Sequence, residues 1–216
     1  MDRKITFQYN LEKDVENFLK SFKSVNSSTR TELEERYLEK SKELQETNVS
    51  EFLASQGIDT DSKLKEIAEA WRRIENEVIN RMDKMFGVRL ASMPVAYLSS
   101  NSRCTYSTSG NYFFVKMTGG DTNRNIAHEL LHFYTWHAFY KELEKNGVSR
   151  KKYNDIKESL TEVLNTDFSD LLREVDIGYP QHHDLRTQVN KFRSEGKSVR
   201  DVIFTLACQV DRKSVV

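Results

Sequence analysis

The chain has 216 residues, enough for one sizeable core or for two small subdomains that share one. Its 33 basic and 33 acidic residues cancel, so no overall basic charge is available to grip a phosphate backbone, and a nucleic-acid partner is not expected. The charged share of 31% and the lack of any run near the roughly 20 apolar residues that span a bilayer argue against a membrane protein and for solvated helices around a limited core.

The opening residues Met1 to Lys4 lead into a polar stretch with no apolar segment of the kind that directs secretion. Cys104 and Cys208 form no CxxC pair and suit a reduced, cytoplasmic protein. Leu11 to Val25 is amphipathic. Asn26 to Thr29 breaks it and offers an N-cap for a charged helix over Thr31 to Ser55. Gly57 and the Asp59-Thr60-Asp61 cluster form a turn and a cap. Leu64, Ile67, Trp71, Ile74, Val78, Met82 and Met85 then recur at spacings of three and four, which predicts one long helix ending at Gly87. Its apolar stripe is expected to be buried within the chain, the alternative being a partner protein. Residues 1–88 thus read as an N-terminal helical subdomain.

The composition changes after Gly87. Val95 to Leu98, Arg103 to Ser107 and Tyr112 to Met117 are short and rich in β-branched and aromatic residues, which predicts a small antiparallel sheet with a hairpin at Ser109-Gly110-Asn111. A helix is expected from Asp121 or Thr122 to about Lys145, a second from Arg150 to about Asn165, then a loop from Gly178 to His183 and two shorter helices. The fold class is therefore α+β, with residues 89–216 as the domain that carries the chemistry.

That chemistry centres on His128-Glu129-Leu130-Leu131-His132. Two histidines four residues apart on a helix project from one face and can share one tetrahedral zinc ion. Glu129 is placed to act as general base towards a metal-activated water. The flanks Ile126, Ala127, Phe133 and Tyr134 are apolar, so the motif lies on a buried helix, where unpaired polar groups would be costly. A third protein ligand is needed. The metzincin continuation asks for glycine and histidine where this chain has Thr135 and Ala138, and His137 is off by one, so it reads as an ordinary structural histidine.

The segment from Lys157 to Glu162 supplies a downstream glutamate, and here the chain resembles the gluzincin metallopeptidases, thermolysin-like and minigluzincin. The resemblance covers roughly Tyr97 to Asn165. It implies a zincin-like domain in which the sheet packs on the active-site helix and a glutamate helix. It implies Glu158 as the third zinc ligand, with Glu162 as the carboxylate that orients His128 and as the next candidate ligand. Departures are Lys157 where asparagine is frequent, Glu162 where aspartate is frequent, and Asn125 ahead of the first histidine. On a helical wheel Glu158 and Glu162 lie opposite the apolar arc of Tyr153, Ile156 and Leu160, which leaves a solvated acidic face as the bland alternative.

The resemblance also implies a downstream tyrosine or histidine that stabilises the oxyanion; Tyr179, His182 and His183 are the candidates. It implies that a peptide or protein substrate lies extended along strand 112–116. Cys104 is read as an ordinary buried cysteine. The resulting expectation is a cytoplasmic zinc peptidase with one zinc per chain. The alternative is a catalytically latent, metal-stabilised binding or regulatory module on the same fold.

Overall fold

A computed structural model describes residues 3–24, 42–101 and 103–209. The expected break at Asn26 to Thr29 and the first part of the helix expected from Thr31 lie outside them. The described elements run, in chain order, β1 (Thr6–Gln8), α1 (Leu11–Ser24), α2 (Lys42–Ser55), α3 (Thr60–Arg72), α4 (Glu75–Phe86), β2 (Val95–Ser99), β3 (Tyr106–Ser107) and β4 (Tyr112–Lys116). There follow α5 (Thr122–Thr135), a π-helical turn (Trp136–Tyr140), α6 (Lys141–Lys145), α7 (Arg150–Leu160), α8 (Val163–Asp167), a 3-10 turn (Pro180–His182), α9 (His183–Ser194) and α10 (Val199–Gln209). The architecture is helix-rich α+β with a four-stranded sheet. No helix among the described residues is long and apolar enough to cross a membrane.

The chain forms two compact units, and each takes two stretches of sequence. The first unit joins Met1–Arg73 to Ser92–Thr122, so α1 to α3 share a unit with the sheet, and the chain is not divided at residue 88. The sheet is mixed, which corrects the antiparallel expectation. Its order is β1-β2-β4-β3, with β1, β2 and β4 parallel and only β3 antiparallel to β4. The connection from β2 to β4 has about the dozen residues that a parallel crossover needs, and β3 lies within it. Ile5 and Phe7 are buried and Thr6 and Gln8 exposed, so an alternating tripeptide adds an edge strand that the sequence reading missed.

Helix α1 is anchored to the end of β2 by buried polar side chains. Asp14 accepts hydrogen bonds from the Ser99 hydroxyl and the Ser100 N–H, and Asn17 donates to Ser99 Oγ at 2.8 Å. Every donor there has an acceptor, as burial requires. Strand β4 pairs with β2 along its whole length. On its other edge it pairs with β3 and then, through the Phe114 N–H, with the Thr105 carbonyl at 2.9 Å. Over Tyr112 to Phe114 both edges are taken, so an added strand could pair only with Val115 and Lys116.

The second unit joins Ile74–Ala91 to Asn123–Val216. The long helix expected over Leu64 to Met85 is two helices, parted at Arg73 and Ile74. No glycine or proline marks the break. Arg72 reaches the Ile5 carbonyl at 2.6 Å, a tertiary contact that periodicity cannot register. Around α5 the unit buries Phe133 and Phe139 together with Tyr153 and Ile156 of α7 and Ile203 and Leu206 of α10. Tyr134 donates to Asp83 Oδ1 of α4 at 2.6 Å, so its buried hydroxyl is paired.

Candidate metal centre

All candidate ligands lie in the second unit. Helix α5 is buried over nearly its whole second half, from Glu129 to Thr135. His128 and His132 stand one turn apart, with ring centroids 4.6 Å apart and planes at 78°. The helix passes into a π-helical turn at Trp136, which carries the exposed His137 away from the pair.

Helix α7 brings Glu158 to them. Ser149 caps its start by accepting from the Lys152 N–H. The solvated acidic face, the bland alternative, is not what forms: Lys152, Lys157 and Ser159 are buried as well as Tyr153, Ile156 and Leu160. Glu158 Oε2 lies 3.7 Å from His128 Nε2, and Oε1 lies 3.5 Å from His132 Nε2. Two atoms each about 2.0–2.1 Å from one tetrahedral ion are roughly 3.3 Å apart. The three ligand atoms, all within 4.8 Å of one another, therefore fit a zinc-sized ion with little movement. A second observation agrees. Glu129 Oε2 is buried and has no hydrogen-bond partner among the described residues, which is costly unless water or a metal-bound group meets it.

The partner of His128 is Asp176, not Glu162. Asp176 Oδ2 is 2.7 Å from His128 Nδ1, leaving Nε2 directed at Glu158. Helix α7 stops at Leu160, and the Thr161 hydroxyl donates back to the Glu158 carbonyl at 2.8 Å. Glu162 thus lies beyond the helix end, where it pairs with Arg186 at 2.8 Å. Arg186 is itself buried and reaches Asp176 Oδ1 at 3.1 Å, the Asp176 carbonyl and Thr161. Asn165 brackets the Asp176 backbone, accepting from its N–H at 2.7 Å and donating to its carbonyl at 2.9 Å. The carboxylate behind His128 is therefore held on every side, as the partner of a ligand histidine generally is.

Lys157 is the other residue whose place the sequence did not reveal. Its side chain is buried and Nζ donates to Glu158 Oε1 at 2.6 Å, so an ammonium sits on the candidate third ligand. The loop candidates lie at and just before the start of α9. His182 is buried with Nε2 3.1 Å from Asp155 Oδ1, His183 is exposed at the start of α9, and Tyr179 is about half exposed with its ring edge-on to His182 at 6.0 Å.

The side chains alone set opposed protonation states. Burial disfavours charge on His128, but the hydrogen bonds to Asp176 and Glu158 outweigh it and raise its pKa to about 10. At His132 burial and the charge of Lys157 outweigh the nearby Glu158 carboxylate, and its pKa falls to about 3. Burial pushes the Glu129 carboxyl up to about 7. Asp176, although buried, is lowered to about 2 by His128 and Arg186, and Glu158 lies far below the usual range beside two imidazoles and an ammonium.

The chain matches no protein-family model, no curated protein and no solved structure, so the reading of this centre rests on its own geometry.

Proposed function

We propose that the protein is a zinc-dependent peptidase in which His128, His132 and Glu158 hold one metal ion and Glu129 is the general base. The observation that carries this reading is the convergence of the three ligand atoms beside an unpaired, buried Glu129 oxygen. When bound, the metal would supply Lewis acidity towards the carbonyl of the scissile bond. Glu129, buried beside the histidine pair, takes the proton of the attacking water and can return it to the leaving amine. Asp176 keeps the His128 ring turned with Nε2 inward, and Arg186 and Thr161 keep Asp176 in place. Lys157 holds Glu158 Oε1, which leaves Oε2 as the freer oxygen for the ion.

A second reading, a latent metal-stabilised binding module, draws on Lys157, whose ammonium already neutralises Glu158. One experiment separates the two. Purified protein should carry about one zinc per chain, and Glu129→Gln should keep that zinc while abolishing cleavage of a mixed peptide substrate. Zinc binding with no cleavage by the native protein selects the second reading. Absence of any zinc affinity ends both.

A further inference from the structure

Val175 to Ile177 belongs to no helix or strand. Its side chains alternate. Asp176 is 4% exposed, whereas Val175 and Ile177 are 65% and 81% exposed, the alternation of an extended chain. The backbone alternates too. In an extended chain, a residue presents its N–H and C=O to one edge and the next residue presents its own to the other. On the inner edge, Asn165 pairs with the Asp176 N–H and C=O as a neighbouring strand would. On the outer edge, the backbone groups of Val175 and Ile177 make no hydrogen bond among the described residues.

The geometry points to residues 175–177 as a recognition edge that takes an extended peptide with apolar side chains by strand addition; its link to catalysis rests on the peptidase reading above. Four backbone groups offer the peptide main chain its pairing, and Val175 and Ile177 offer its side chains an apolar contact. Other occupants fit less well. Arg173 and Glu174, exposed and of opposite charge, flank the row, so no broad apolar face exists for a bilayer. Gly178, at φ +61°, turns the chain after Ile177, so the edge offers four backbone groups to a few residues of one peptide and no long ladder to a second copy. An edge of this kind is what β4 lacks over Tyr112 to Phe114.

The edge has a defined relation to the metal centre. Asp176 Oδ2 stands 2.7 Å from His128 Nδ1. The imidazole and a metal–nitrogen bond add about 4 Å, so the carboxylate lies roughly 7 Å from the ion position. At about 3.3 Å per extended residue, apolar selection falls roughly two or three residues from the cleaved bond.

The test uses the zinc-loaded Glu129→Gln protein and fluorescein-labelled hexapeptides read by anisotropy. The first has leucine at alternate positions, the second serine in their place, and the third is the leucine peptide with N-methylated amides. The leucine peptide should bind, and the other two should bind about tenfold or more weakly. Val175→Ser with Ile177→Ser should weaken the leucine peptide by a similar factor with zinc content unchanged, since both side chains are exposed. Equal binding by that double variant, or no binding of the leucine peptide, overturns the edge. Failure of the two ideas is separable. Native protein that binds the leucine peptide through Val175 and Ile177 but never cleaves it keeps the edge and ends the peptidase. Cleavage by the double variant with an unchanged leucine preference does the reverse.

Discussion

The difference between Asp176 and Glu162 is where the chemistry of single residues can be checked most directly. Both are acids downstream of Glu158, but only Asp176 touches a histidine. Replacing Asp176 by Asn should weaken zinc binding by about 10- to 100-fold, measured by competition with a chromogenic chelator, whereas Glu162→Gln should change it far less. The protonation of His128 makes a second prediction. Zinc requires the neutral ring, and the metal-free ring keeps its proton to about pH 10. Metal binding therefore expels a proton, and apparent affinity should rise by about tenfold per pH unit below that value. Titrations at pH 6, 7 and 8 in buffers of different ionisation enthalpy would show both effects. For the metal-free fold the sign is opposite. A raised histidine pKa contributes stability fully below its unfolded value of 6.5, and that contribution is lost as pH climbs to about 10. The melting temperature after chelation should fall across that window.

At the scale of elements, the short extended segment matters as much as the helices. Gly178 has φ +61°, and a Cβ there would lie 2.7 Å from Arg186 Nη1 and 2.8 Å from its Cδ. Gly178→Ala should therefore displace the guanidinium that holds Asp176, costing on the order of 2 kcal/mol in a denaturant titration and lowering zinc affinity with it. The elements also explain what the sequence disclosed. His128 and His132 were legible because their relation is local: four residues on a helix are one turn whatever surrounds them. Glu158 was legible through the second helix, although its wheel position pointed outward; burial of Lys152 and Lys157 overrode the pattern. Asp176 was not legible, because it lies in a segment with no period and is placed by Arg186 and Asn165 from two other segments. Glu162 was misplaced for a related reason: the helix ends at Leu160 without the glycine or proline that usually marks a stop. The sheet was recognised as strands, but its direction was not. Direction depends on how residues 100–111 cross, and side-chain alternation is the same in parallel and antiparallel pairs.

For the whole molecule, the two units differ in whether they hold the candidate ligands. Each also holds one of the two tryptophans, Trp71 in the first and Trp136 in the second. Zinc at a hundredfold over its dissociation constant adds about 2.7 kcal/mol to the unit that binds it. In single-tryptophan proteins, chelation should lower the unfolding midpoint reported by Trp136 and leave that reported by Trp71 nearly unchanged. Equal shifts would show that the units unfold as one.

The interleaving of the units has a consequence for how the protein is made. A chain emerging from the ribosome presents its N-terminal residues first, and units fold as they become complete. The first unit has all its residues once Thr122 has appeared, before His128 exists. Helix α4 is synthesised some forty residues ahead of the histidine pair and must wait for α5 to cover Met82 and Phe86. The ligands then arrive in the order His128, His132, Glu158, but the clamp on Asp176 closes only when Arg186 follows. If the proposed centre holds a metal, its loading is a late event in the life of the nascent chain. A stall or a premature stop between residues 158 and 186 would release a protein that has every ligand and no means of holding them.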